Sequence, residues 1–291
     1  MTNIYKPKIN DIFVSTVTSN LIDSCDIFSK KYNKKIILIS SLNQVSLYKN
    51  SYLFKNISEL KDKVQKYKNK RIFIGRDHFG VNSIKNFKLS NEINFLKKNL
   101  ICDIKNNLNF IHLDFSNDKN YINNLKIFMD IILSMNNKLI IEIGLDLDGG
   151  KTKKNTLKEL IELSLLYREN IKIITYQTGS KLFNNKNKTK INYKKIKNNT
   201  ALQKELIYKE HNCDFKNKTH FQKLNNINFV FNIGPEFAYY ESKLFCNLIE
   251  KYLNKIEYEN IYNHVLKSRL WSKWCSPQTN NKEKILSSLH R

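Results

Sequence analysis

The chain is poor in the residues that punctuate loops, with seven glycines and three prolines among 291 residues. That scarcity excludes collagen-like repeats and Gly/Pro-rich low-complexity polymers. Its five cysteines form no CxxC pair and no zinc-ribbon spacing. An odd count without such spacing reads as reduced thiols rather than a disulfide framework. No apolar run reaches the ~18 residues of a membrane span, and the N-terminal MTNIYKPKIND lacks the apolar stretch of a secretory signal. A cytoplasmic protein that makes no membrane contact is expected. Acidic residues are scarce too: 26 Asp and Glu face 50 Lys and Arg, a formal charge of +24.

Such an excess raises nucleic acid as a partner. The excess is mostly Lys, however, and Lys travels with Asn and Ile, as in NNKNKTKINYKKIKNN at 184–199. It is spread along the chain and forms no basic arm. The joint bias matches the drift of an AT-rich coding sequence, so a specific nucleic-acid partner is not expected. A cationic surface would still draw anionic metabolites such as sugar phosphates. The segment 183–199 itself reads as a solvated loop, with a lid over an anionic substrate as the functional alternative.

What is present is a core-forming pattern. Hydrophobic residues make up 41% and aromatics 12%, enough to fill a core and to exclude wholesale disorder. Short apolar runs such as KKIILIS, RIFIG, NFIHLD, KLIIEIG and NFVFNIG suit strands buried on both faces of a parallel sheet. Strands are expected at 12–17, 35–40, 71–75, 109–114, 139–144, 171–177, 206–211 and 228–234. Between them, LIDSCDIFSKKY, ISELKDKVQKY, YINNLKIFMDIILSM and NTLKELIELSLLY place apolar residues at helical steps. About eight alternations predict an α/β fold, a (β/α)8 TIM barrel spanning 1–291 as one domain. A doubly wound sheet remains the alternative. The last helix and a helical tail, YYESKLFCNLIEKYLNKI and YNHVLKSRLWSKW, occupy about 240–291.

All seven glycines fall at or just beyond the proposed strand ends, on the face where barrel active sites lie. Ionisable residues gather there as well: Arg76, Asp77 and His78; His112 and Asp114, with Ser116 next; Glu142, then Asp146 and Asp148; Tyr176 and Gln177; Lys209, Glu210, His211 and Asn212; Asn232 and Glu236. His112 and Asp114 alternate along a strand and so share a face. A divalent metal needs several N/O ligands from different strands. His78, His211 and an acid of the fifth strand can supply them.

Seven segments in order carry a resemblance: SSLNQVSLY at 40–48, IGRDHFG at 74–80, FIHLDFS at 110–116, EIGLDLDGG at 142–150, YQTGSKL at 176–182, KEHNCDF at 209–215 and NIGPEF at 232–237. In these the chain resembles the so-called non-catalytic subunits of class II tagatose-bisphosphate aldolase. That family also contains tagatose-6-phosphate 4-epimerases and is related to the zinc-dependent class II ketose-bisphosphate aldolases. The resemblance implies a metal-dependent enzyme that acts on a ketose phosphate by 4-epimerisation or aldol cleavage. A subunit that stabilises a class II aldolase catalytic partner is the alternative. It implies a divalent metal, zinc, held by His78, His211 and Glu142, with Asp146 as the rival carboxylate. Asp77 becomes the acid/base, with Asp114 or Glu142 as a second one. Gln177 stands where the aldolases keep a histidine ligand. Asn212-Cys213-Asp214 replaces their Gly/Ser-rich phosphate loop. Candidate substrate-binding residues are Asn43, Gln44, Ser116, Gln177, Lys209, Asn212, Asn232 and Glu236. A homo-oligomer is a further expectation.

Overall fold

The structure is a computed structural model. It describes residues 5–9, 11–47, 51–81, 89–116, 121–135, 138–144, 152–180, 182–184, 186–187, 191–200, 205–225 and 227–288. Eight strands carry the core: β1 Ile12–Ser15, β2 Ile36–Ser40, β3 Ile72–Phe79, β4 Phe110–Asp114, β5 Ile140–Gly144, β6 Ile171–Thr175, β7 Ile207–Glu210 and β8 Phe229–Ile233. Each pairs in parallel with the next, and β8 pairs in parallel with β1. That last pairing closes the sheet and decides for a TIM barrel over an open doubly wound sheet.

The helices between strands are α1 Ser19–Tyr32, α2 Ile57–Gln65, α3 Leu89–Lys105, α4 Tyr121–Ser134, α5 Lys154–Leu166, α6 Tyr193–Thr200, α7 Lys218–Asn225 and α8 Pro235–Tyr252. Their inner faces and the outward strand residues form the larger core, with Leu38, Ile74, Ile111, Ile143, Ile174 and Phe229 all buried. Arg76 shows how tightly this layer is tied. Its guanidinium is fully buried and donates to both oxygens of Asp103 on α3, at 2.9 and 2.8 Å. A bidentate pair of that geometry locks strand to helix.

The inward residues form a second core whose chemistry changes with height. Phe13, Ile37, Phe73, Phe110, Ile140, Ile173 and Val230 pack together at the lower end. Two residues further along the strands come Gly75, His112, Glu142, Thr175 and Asn232, and Lys209 follows Ile207 in the same way. Period-two alternation therefore stacks an apolar layer beneath a polar one. The expected strand ends shift accordingly. β3 runs on through Phe79, so Asp77 and His78 lie inside it rather than beyond it. β6 stops at Thr175, two residues short of the expected end, and Gln177 lies in the loop that follows.

Two other expectations are corrected. The 183–199 segment is not simply a solvated loop. Leu182–Phe183 and Lys186–Asn187 form a small antiparallel hairpin, and α6 buries Ile196. The run 239–256 is not one helix either. Asn254 and Glu257 form a capping box that starts a new helix, α9 Lys255–Lys267, because an Asn side chain takes over the orphan amides of a fresh first turn. A short 3-10 turn, Leu270–Lys273, and α10 Asn281–Ser288 complete the tail. The tail packs on α8 through Cys246, Ile285 and Leu286. Among the described residues, no helix is long and apolar enough to cross a membrane.

Close packing between neighbouring strands leaves no room for a side chain at Gly144. A Cβ on Gly144 would overlap the Thr175 side chain of the neighbouring strand. Gly144→Ala is expected to destabilise the barrel by about 1–3 kcal/mol, the usual cost of overpacking. It would also displace Thr175 from its partners in the site. Thermal melts of the purified variant check this, and an unchanged melting temperature would contradict the packing described.

Candidate active site

The polar layer at the C-terminal mouth of the barrel is one continuous network. Asp77, His112, Glu142, Lys209 and His211 are inward residues of β3, β4, β5 and β7 or their ends, and all are buried. His78 follows Asp77, so plain alternation would turn it outward. It adopts a left-handed backbone conformation, φ 46°, where the β3–β4 register slips between Arg76 and Phe79. That slip returns its ring to the mouth. There the ring sits 5.4 Å from that of His112 and 5.2 Å from that of His211, and His112 and His211 are themselves 5.2 Å apart.

The three imidazoles surround Asp77. Its Oδ1 lies 3.3 Å from His112 Nδ1, and its Oδ2 lies 3.6 Å from His78 Nε2. On the far side, His78 Nδ1 sits 2.9 Å from Asp114 Oδ2. A carboxylate bound to one ring nitrogen fixes the tautomer and presents the other nitrogen to the site, the usual support of a ligating histidine. Asp114 also accepts from the backbone of Ser116. Below, Thr175 hydroxyl bridges His112 Nε2 at 3.1 Å and donates to Glu142 Oε1. His211 Nε2 is 3.6 Å from the same Glu142 oxygen.

Lys209 supplies a cation from within. Its ammonium is fully buried, 2.5 Å from Glu142 Oε2 and 3.7 Å from Asp77 Oδ1. It also lies over the rings of Phe13 and Phe110, at 5.0 and 5.2 Å. Burial alone would push the Glu142 carboxyl up. The charges of His112 and Lys209, then the bond and charge of His211, outweigh it and bring Glu142 down to about 2. Burial likewise pushes Asp77 up, and the charges of His78 and Lys209 override it and hold Asp77 well below the ordinary carboxylate range. Asp114 is lowered too: burial opposes the shift, and the His78 bond leads the groups that overcome it. Both inner carboxylates are therefore ionised at neutral pH.

The expected residues thus divide. Asp77, His78, Asp114, Glu142 and His211 do converge. His112 joins them at the centre. The sequence offered one signal for it, its alternation with Asp114. Thr175 was also missed, and nothing in TYQTG singles it out. Lys209 reaches the carboxylates from below rather than from the open side. Gln44 is buried and its side chain accepts from the backbone of Ser41, closing its own loop, while Asn43 beside it is exposed. Gln177 is buried and its backbone exchanges bonds with Thr152 at 2.8 and 3.0 Å. Asn232 is buried on β8, and its carbonyl accepts from Cys213. The Asn212 carbonyl accepts from Asn187 Nδ2. Glu236 accepts from the Phe215 amide and donates its own amide to Asp214, so it fastens the loop after β7. Asp146 lies outside the described residues.

One ligand atom each from Asp77, His112 and His211 lie within 4.8 Å of one another. Two imidazoles and a carboxylate from three different strands are a donor set suited to zinc or another first-row divalent ion. His78, held by Asp114, stands against the same carboxylate. The residues present therefore fit a divalent metal. A second group, Glu210, Cys213 and His220, faces away from the barrel axis. There the Glu210 carboxylate takes Thr178, Ser180, His220 and Cys213 as partners. A carboxylate so fully bonded serves to anchor the loop after β7.

Comparison with solved structures finds the same barrel elsewhere. A probable tagatose 6 phosphate kinase from Sinorhizobium meliloti 1021 superposes with a TM-score of 0.73 at 12% identity, covering 97% of this chain and 81% of the other. The YdjI aldolase from Escherichia coli K12 gives 0.60 at 9% identity, over 97% and 89%. Fructose-bisphosphate aldolase from Campylobacter jejuni gives 0.61 at 16%, over 84% and 78%. The chain shares the (β/α)8 barrel fold of these structures. No family model matches it, and no curated protein does.

Proposed function

We propose that the protein is a divalent-metal-dependent enzyme that acts on a ketose phosphate by aldol-type chemistry, either aldol cleavage or 4-epimerisation. The convergence of Asp77, His112 and His211, with His78 and Asp114 beside them at the barrel mouth, carries this reading. The names of the similar structures, two aldolases and a tagatose-phosphate protein, support the substrate class.

Asp77, His112 and His211 would hold the metal, with His78 adjoining. When bound, a divalent ion supplies a Lewis acid that polarises a sugar carbonyl. The chain's own residues do the rest. Asp77 offers one oxygen to the metal set, and its other oxygen, ionised, accepts the proton of the C4 hydroxyl. The C4–O bond becomes a carbonyl as the C3–C4 pair shifts onto C3, beside the C2 carbonyl. Re-addition to the other face of the new aldehyde gives the 4-epimer, and release of the fragments gives cleavage. Asp114 keeps His78 in one orientation as the proton moves. The cationic surface would favour arrival of a phosphorylated sugar.

Isotope-traced conversion of ketohexose phosphates and bisphosphates by the metal-loaded protein tests the reading. A triose phosphate product means cleavage, and a 4-epimer without free fragments means epimerisation. Turnover is expected to fall at least about 1,000-fold in Asp77→Asn. Failure of the loaded protein to convert any of these sugars would overturn the proposal. One observation favours a second reading, a subunit that stabilises a catalytic aldolase. Glu142, the expected ligand of β5, is already neutralised by Lys209. On that reading the protein alone turns over nothing and instead raises the melting temperature of a class II aldolase partner.

A further inference from the structure

Thr175 sits among the charged groups of the mouth, yet the proposed chemistry gives it no role. It ends β6 and is fully buried. It stands beside Lys209 in the β6–β7 pairing, and His112 stands beside Glu142 in the β4–β5 pairing. Its hydroxyl reaches from β6 across to β4 because Gly144 of β5 puts no side chain in the way. There it meets His112 Nε2 at 3.1 Å. The direction of its bonds follows from counting protons. Glu142 is ionised and can only accept. Its Oε2 stands 2.5 Å from Lys209 Nζ, and its Oε1 takes the Thr175 hydroxyl. A threonine hydroxyl has one proton. Once given to Glu142, that proton is not available to His112, so Thr175 Oγ1 accepts there. The proton between Thr175 and His112 then belongs to Nε2 of the ring.

We infer that Thr175 is a positioning residue: it holds His112 with the proton on Nε2 and leaves Nδ1 as the atom that ligates the divalent ion. The inference deepens the metal reading above and rests on it for the ion alone. Nδ1 is the nitrogen that faces Asp77, 3.3 Å from its Oδ1. Two ligand atoms held at ~2.0–2.1 Å by one tetrahedral zinc ion stand ~3.3–3.4 Å apart. The Nδ1–Oδ1 pair already has the spacing of one edge of such a site. Nε2 points the other way, toward Thr175 and Glu142. Glu142 then belongs to the support of a ligand, with Lys209 behind it, and not among the ligands. His78 is oriented by a carboxylate directly, Asp114, and His112 by a carboxylate through one hydroxyl. Such supporting bonds fix which ring nitrogen a metal finds bare.

Nitrogen-15 spectra of the histidine-labelled full chain test the inference, with the His112 ring assigned by its loss in His112→Ala. The metal-free wild type is expected to carry a proton on His112 Nε2. With cadmium-113 as the probe metal, coupling is expected at Nδ1 while the Nε2 proton stays. Thr175→Val keeps the side-chain shape and removes the hydroxyl. It is expected to bind cadmium and zinc about 10–100-fold more weakly in chelator competition. Thr175→Ser returns the hydroxyl and is expected to recover the wild-type affinity and the Nε2 proton. A bare Nε2 in the metal-free wild type, cadmium coupling at Nε2, or a Thr175→Val protein that binds metal as the wild type does would each overturn the inference. If Thr175→Val does not fold, the wild-type spectra decide it. A wild type that shows this tautomer and this coupling but converts no ketose phosphate would uphold the role of Thr175 and overturn only the activity proposed above.

Discussion

His211→Ala is expected to weaken divalent-metal binding by at least about 100-fold while leaving the barrel folded. His211 stands at the end of β7, and its ring is about equally far from those of His78 and His112. Its loss removes a ligand from the tight set with Asp77 and His112, and also from the set with His78 and Glu142 expected from sequence. His112→Ala is expected to act as strongly, because His112 shares Asp77 with His211. His78→Ala removes a ring at the mouth that is partly exposed, and about a tenfold loss is expected. Metal content after dialysis, followed by titration against a competing chelator, reads all three without reference to activity. If His211→Ala and the wild type retain metal equally, no metal sits at this mouth.

Much of this arrangement could be read from residue order because a closed barrel converts strand position into spatial position. A residue at a strand's C-terminal end must lie near the ends of the other strands. Asp77, Asp114, Glu142 and His211 met for that reason, although they are scattered across the chain. What order alone could not supply was height and direction. His112 lies one inward step below Asp114, on the same face. Nothing in FIHLDFS says that this lower step is still within reach of the site. The direction of His78 depends on a single left-handed residue and a register slip, which sequence periodicity cannot express. Lys209 shows the opposite difficulty. A lysine near the mouth suggests a substrate phosphate, yet its even spacing from Ile207 and His211 places it on the inner wall, buried against Glu142. The tail was misjudged where a capping pair interrupted a continuous apolar rhythm.

The buried lysine ties the stability of the barrel to the proposed metal, and the second large effect follows from it. Asp77 and Glu142 are both buried and both ionised, with the Lys209 side chain from β7 against both. Lys209→Met keeps the aliphatic length and removes the charge. Breaking a buried ion pair from one side typically costs about 3–5 kcal/mol, because the remaining charge is left unpaired. A loss of that size, and a fall in melting temperature of roughly 10 °C, is expected at neutral pH.

The acid limb should move with it. The folded-state pKa of Glu142 is depressed, from 4.5 to about 2. Its stabilising contribution is therefore complete above about 4.5 and is lost as pH falls toward 2. Without Lys209 one of the opposing charges is gone, burial weighs more, and acid unfolding should begin at a higher pH. A divalent ion held by Asp77, His112 and His211 would replace the missing charge. Zinc is thus expected to raise the melting temperature of Lys209→Met by several degrees more than that of the wild type. Thermal and acid unfolding of both proteins, with and without zinc, measure all of this. A Lys209→Met variant as stable as the wild type would mean that the two carboxylates are not held ionised together. An equal response to zinc in both proteins would place the ion away from them.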